Sequence, residues 1–288
     1  MPENYENFER KYRVVITGAG GGFEFGGEPF PLHISFSFQK TDLYSPNNGN
    51  LSVWNLAPEH TAMLIENEEN ARLMLEAGYR DHITRIFSGI VNFSSTSMDG
   101  GDWRTDIEVI DTLEEQRDSY VTLSFAPGTN WRDITDEAAS QMGVKIDYGH
   151  NAEFKNIDTG FQFVGLADDV FTKACDSNGL SWSIQDGRVK MKKTNDTMPP
   201  GVIYVISADT GMIGMPVRVC LAGSAETGDK IIGYDVTCFL NGDIHIDDYV
   251  YLDSKFIQGA FRVYSIEYTG DSQSGDWITK MRLLEKGF

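Results

Sequence analysis

The glycine cluster Gly18-Ala19-Gly20-Gly21-Gly22-Phe23 follows a β-branched run, where a dinucleotide-binding chain would cradle pyrophosphate. That chemistry needs a third glycine at fixed spacing and a helix whose N-terminal amides meet the phosphate. The third glycine is out of place here, and Phe25-Gly26-Gly27-Glu28-Pro29 stops any helix, so the segment reads as a flexible loop. Five histidines, His33, His60, His82, His150 and His245, are scattered, and none is spaced with Cys, Asp or Glu as metal ligands are. His245 and Asp247 alternate within Asp243–Asp248 and read as the exposed polar face of a strand. The run Asp271 to Asp276 has the look of a calcium loop, yet it lacks a distal bidentate Glu and regularly alternating oxygen ligands, so it reads as a turn. No serine sits in a Gly-x-Ser-x-Gly elbow. Paired carboxylates for glycoside hydrolysis need no local motif, and with 43 acidic residues the sequence singles out no pair. No catalytic, cofactor-binding or metal-ligating residue is assigned, no cofactor is expected, and the chain reads as a non-enzyme.

Bulk properties set the frame for any site. The 288 residues suffice for two cored domains, and 41% hydrophobic with 23% charged residues is the composition of a globular chain. No apolar run reaches the roughly 20 residues that a spanning helix requires. The acidic start, Met1 to Glu6, has no basic flank and apolar stretch of a secretory signal. Cys175, Cys220 and Cys238 show no CxxC spacing and are expected to be reduced, buried and made in a cytosol. The net charge of −19 excludes nucleic-acid binding through phosphate neutralisation. Residues 1–119 carry −11, residues 120–202 carry −3 and residues 203–288 carry −5. The outer segments thus offer an acidic surface that DNA could pass without sticking.

Strand signals dominate the elements. Tyr12 to Ile16 is β-branched, and His33 to Phe38 alternates with period 2. Ala71 to Ala77 and Ile86 to Phe93 read as two strands across a polar connection, after a short helix from Pro58 to Asn67 with proline in its first turn. The middle differs. Asn130 to Met142 is a helix capped by Thr129 or Asn130 and stopped by Gly143. Leu166 to Asp176 is a second helix, with Val170, Phe171 and Ala174 on one face. Leu180 to Ile184 then meets Arg188 to Met191 in a hairpin across Gln185-Asp186-Gly187. The basic run Arg188 to Lys193 reads as a solvated hairpin edge or a docking surface. Thr194 to Gly201, with Pro199-Pro200, reads as a linker.

A repeat organises the whole. Gly101-Asp102-Trp103-Arg104-Thr105 recurs as Gly275-Asp276-Trp277-Ile278-Thr279, each after a β run and a polar turn, and each before alternating residues. Duplication explains the match, and Trp103 and Trp277 become equivalent packing residues. The fold class expected is mainly β with a smaller α/β part: two related tube-type β-barrel domains, 1–119 and 203–288, flanking an inserted α+β domain, 120–202.

Several segments in order carry a family resemblance. They are Trp54-Asn55-Leu56 before a short helix, Leu75-Glu76-Ala77-Gly78-Tyr79, Ile86-Phe87-Ser88-Gly89, the two Gly-Asp-Trp repeats, Ile107 to Asp111, Leu180 to Gly187, and Phe261 to Ile266. Together they resemble hub proteins of phage tail baseplates, particularly those of contractile tails. The resemblance implies a virion structural protein assembled in the bacterial host cytoplasm. It implies a homotrimer whose paired barrels make a pseudo-sixfold ring between a hexameric tail tube, or its initiator, and a trimeric central spike. Other baseplate proteins would surround it, genomic DNA would only pass through the lumen, and no membrane is involved. The chain departs from larger relatives by carrying no recognisable lysozyme, peptidase or peptidoglycan-binding part. Two other readings are an extracellular carbohydrate-binding or glycoside-hydrolysing β protein, and a tail-tube or secretion-spike relative with one such barrel.

Overall fold

The computed structural model describes residues 9–18, 21–27, 31–42, 47–66, 70–111, 119–185, 187–194, 203–221 and 231–285. The first part holds β1 (Arg10–Gly18), β2 (Gly21–Phe25), β3 (Ile34–Thr41), β4 (Asn47–Trp54), α1 (Pro58–Glu66), β5 (Arg72–Tyr79), β6 (His82–Asp99) and β7 (Asp102–Asp111). The middle holds β8 (Tyr120–Phe125), α2 (Trp131–Met142), β9 (Ile146–Tyr148), β10 (Phe161–Leu166), α3 (Ala167–Asn178), β11 (Leu180–Gln185) and β12 (Arg188–Lys193). The last part holds β13 (Ile203–Ser207), β14 (Met212–Leu221), β15 (Ile231–Phe239), β16 (Tyr249–Asp253), β17 (Gln258–Asp271) and β18 (Trp277–Glu285).

The architecture is mainly β with a smaller α/β part, as the sequence predicts. Strands of the first and last parts join one 13-stranded sheet in the order β14-β15-β18-β17-β3-β4-β7-β6-β5-β1-β2, and β16 extends from β17 to pair with β13. Alternation places the core: Ile34, Phe36 and Phe38 of β3 are buried, as are Ile266 and Tyr268 of β17 and Met281 and Leu283 of β18. These residues belong to one cluster, so the first and last parts share a hydrophobic core. Each such side chain contributes about 1.5–3 kcal/mol on burial, and the sharing is what makes the join cohesive.

The middle part has its own core around Ile134, Val170, Phe171, Trp182 and Met191. Its α2 is bounded as its sequence dictates. The Asn130 side chain accepts from the Arg132 N–H at 3.0 Å. Gly143, at φ 72°, donates to the Ala139 and Ser140 carbonyls, and that left-handed conformation suits glycine. The β11–β12 hairpin forms in the expected register, with Trp182 opposite Met191.

Three sequence expectations change. The glycine segment is the end of a β1–β2 hairpin, with Gly18 opposite Gly21, and β2 occupies part of the predicted loop. Asp243–Asp248 is a succession of turns instead of a strand, and Asp247 takes φ 76° and is buried. Cys175 and Cys238 are buried as expected, but Cys220 is exposed because β14 lies at the sheet's end. Most of the expected linker, and the N-terminal hexapeptide, lie outside the described residues.

Candidate assembly interface

The repeat is structural. Val91 pairs with Val109 and Phe93 with Glu108, leaving Asn92 as a bulge in β6. In the second copy Val263 pairs with Leu283 and Ser265 with Arg282, leaving Tyr264 as a bulge in β17. Both bulges face the fifth and sixth residues after the tryptophan on the partner strand, Glu108 and Val109 in one copy and Arg282 and Leu283 in the other. Bonds outside the ladders repeat as well. Asn55 N–H donates to the Trp103 carbonyl at 2.7 Å, and Leu240 N–H to the Trp277 carbonyl at 3.0 Å. Val91 N–H donates to Ala71 O at 2.8 Å, and Val263 N–H to Asp248 O at 2.9 Å. Strands β3-β4-β7-β6-β5 therefore correspond to β14-β15-β18-β17-β16. The copies diverge at their outer strands: β5 pairs antiparallel with β1, whereas β16 pairs parallel with β13. In addition, α1 stands where the second copy has the turns after β15.

One copy meets the other where β17 pairs antiparallel with β3, from Ser265 opposite Thr41 to Asp271 opposite Ser35. Trp277 locks this seam. It is 2% exposed, its ring meets Phe36 edge-on at 5.3 Å, and its indole N–H donates to the Gly78 carbonyl at 3.2 Å. Gly270 makes the stack possible, because a Cβ there would lie 2.4 Å from the Phe36 ring. Trp103, the equivalent residue, is 55% exposed, contrary to the packing role that the sequence suggested for both. Among the described residues, no strand pairs with the first copy in the position that β3 gives the second.

A buried charge cluster joins all three parts. Lys192 Nζ donates to Asp42 Oδ2 at 2.8 Å, lies 2.7 Å from Asp42 Oδ1 at an angle too oblique for a hydrogen bond, and also donates to Asp247 Oδ1. Arg262 Nη1 contacts Asp42 Oδ2 at 2.5 Å and Asp247 Oδ1 at 2.8 Å. All four side chains are buried. Two cations and two carboxylates balance, which is the condition for tolerating charge away from water. Burial, and then the Asp42 charge, push the Asp247 carboxyl above its usual range, while Lys192 and Arg262 oppose the shift. For Arg262, burial alone would lower the pKa, but Asp42 and Asp247 outweigh it and raise it. Beside the cluster, Asn47 Nδ2 donates to Asp111 and Gln185, each at 3.2 Å, and Gln185 Nε2 donates to the Thr41 carbonyl at 2.7 Å. The end of the β11–β12 hairpin is thereby fixed to the sheet.

The sequence missed this cluster. Lys192 read as part of a solvated or docking edge and Asp247 as an exposed strand residue, and both are buried against one another. In the run Lys190-Met191-Lys192 alternation places both lysines on the face opposite Met191, and nothing local marks Lys192 as the buried one. Of the five histidines, His33 stacks on Trp54 at 4.0 Å, His60 on Phe23 at 3.9 Å, His82 Nε2 lies 2.7 Å from Asp243 Oδ2, His245 Nδ1 lies 2.7 Å from the Asp243 carbonyl, and His150 is exposed. Asp271 is the last residue of β17, and the turn expected after it is held by its Oδ1, which accepts from the Gln273 and Ser274 N–H groups. Among the described residues no group of three or more His, Cys, Asp or Glu is placed to hold a metal, and no helix is long and apolar enough to cross a membrane.

Known proteins share this arrangement. The family described as Baseplate hub gp41 matches residues 49–282. A tail protein from Neisseria meningitidis MC58 is similar with a TM-score of 0.63 at 13% identity, over 96% of this chain and 97% of that one. The 43 kDa tail protein of prophage MuSo2 from Shewanella oneidensis gives 0.64 at 10% identity, over 94% and 96%. The E. coli c3393 protein, a type VI secretion component described as structurally similar to the T4 tail proteins gp27 and gp5, gives 0.60 at 8% identity, over 89% and 74%. No curated protein sequence matches. With the matched family spanning both repeats and the middle part, the chain belongs to the Baseplate hub gp41 family and is a structural protein of the phage tail baseplate.

Proposed function

We propose that three copies of this chain form a pseudo-sixfold ring that joins a hexameric tail tube to a trimeric central spike in a contractile tail. The observation that carries this reading is the pair of equivalent strand sets, with matching bulges and matching bonds to Trp103 and Trp277. A trimer of such chains presents six similar units to one partner and a threefold object to the other. Residues 1–119 and 203–288 are the tube-type units and 120–202 the spike-side or peripheral part. The acidic outer segments face the DNA path, where like charge keeps DNA moving during ejection. The role proposed for this chain is mechanical.

The test is native mass spectrometry of the purified chain together with imaging of the tail particle. Three copies around the central axis are expected. Six copies, or a single copy off the axis, would overturn the ring, and a net-basic lumen would overturn the DNA path.

A further inference from the structure

The two strand sets are equivalent, yet only one of them has its seam filled. In the second, β17 beyond its bulge pairs with β3, and Trp277 is buried there. In the first, β6 beyond its bulge presents an edge that pairs with no strand among the described residues, and Trp103 and Met98 are exposed. At the far end of the sheet, β14 is the counterpart of β3, and its outer edge is also unpaired among the described residues. Ile213, Met215 and Val217 on it are exposed. An exposed apolar edge strand is a template for another strand.

We infer that β14 of one copy pairs with β6 of the next, in the register and with the tryptophan lock that β3 and β17 use within the chain. This rests on the threefold ring proposed above and assigns the strands and residues that close it. The register follows by transfer. Glu267 opposite Gln39 becomes Ser95 opposite Val219, and Thr269 opposite Ser37 becomes Ser97 opposite Val217. Tyr268 opposite Phe38 becomes Thr96 opposite Arg218. The place of Phe36 falls in the irregular stretch of β14 between Ile213 and Val217, where Met215 is exposed. Met215 is the exposed apolar side chain this stretch brings towards Trp103, on the side where Phe36 meets Trp277 in the filled seam. The place of Gly270 is taken by Met98, so the close approach that glycine gives Phe36 and Trp277 is not repeated, and Met98 itself packs beside Trp103 from the β6 side.

Paired cysteines in the full-length chain test the seam on a Cys220→Ser background. Directly opposed residues on antiparallel strands bring Cα atoms to about 4.5–5.5 Å, within disulfide reach. Ser95→Cys with Val219→Cys, and Ser97→Cys with Val217→Cys, should each give covalent dimers and closed trimers on mild oxidation. Ser95→Cys with Ile213→Cys, out of register, should not. Trimers by native mass spectrometry without these cross-links, or equal cross-linking of the control, would overturn the seam and leave the ring standing. A chain that stays monomeric and uncross-linked would overturn both. Independently, Trp103→Asp should leave the circular dichroism and melting of the chain unchanged while weakening trimerisation at least about thirtyfold, the loss typical of a central interface anchor. Unchanged trimerisation would overturn the lock.

Discussion

Removing one charge from the buried cluster is the most direct test of how the three parts are held together. Lys192→Met keeps the length of the side chain and deletes its ammonium, so Arg262 alone faces Asp42 and Asp247. Breaking a buried ion pair from one side costs about 3–5 kcal/mol, because the orphaned charge keeps its desolvation penalty. At this chain length that corresponds to a fall in melting temperature of about 6–10 °C. The loss must also depend on pH, with a fixed sign. Asp247 already titrates above the ordinary aspartate value of 3.8, and without Lys192 its pKa rises further. Its Oδ2, which makes no hydrogen bond, can carry the proton. The folded variant then binds a proton that the unfolded chain has released. Its stability rises as pH falls towards the ordinary aspartate range and drops as pH climbs through the raised pKa. The slope is at most about 1.4 kcal/mol per pH unit for one proton. Thermal unfolding from pH 5 to pH 8 should show the deficit growing with pH. Adding Asp247→Asn, which restores neutrality, should recover part of it. An unchanged midpoint in Lys192→Met, or a deficit of the same size at both ends of the pH range, would refute the reasoning.

The two tryptophans should respond in opposite ways in the isolated chain. Trp277→Ala empties a packed seam and should cost about 3–5 kcal/mol in chemical unfolding, whereas Trp103→Ala should stay within about 0.5 kcal/mol. Gly270→Ala should cost about 1–3 kcal/mol, since its methyl would collide with the Phe36 ring that Trp277 meets edge-on. In thiol labelling of the native monomer, Cys220 alone should react. Burial pushes the Cys175 and Cys238 thiols up to about 12, which keeps both neutral and shielded until the chain unfolds.

Local patterns determined a good deal of this protein. Asn130 and Gly143 bound α2 at the residues expected, because capping is a short-range affair of one side chain and one backbone conformation. The alternation in β3 and the two Gly-Asp-Trp turns were legible, and the turns led to the duplication. Net charge, a sum that needs no fold, argued from the sequence alone against nucleic-acid binding through phosphate neutralisation. What the sequence could not carry was contact between distant segments. The pairing of β3 with β17, the sharing of one core and the meeting of Asp42, Lys192, Asp247 and Arg262 depend on register across more than a hundred residues. Lys192 and Asp247 were misread because a charged residue on a short run looks solvated until its partner arrives from elsewhere. The same reason separates the two tryptophans. Identical local sequence places both rings on the same face of equivalent hairpins, and only the presence of a neighbouring strand decides which one is buried.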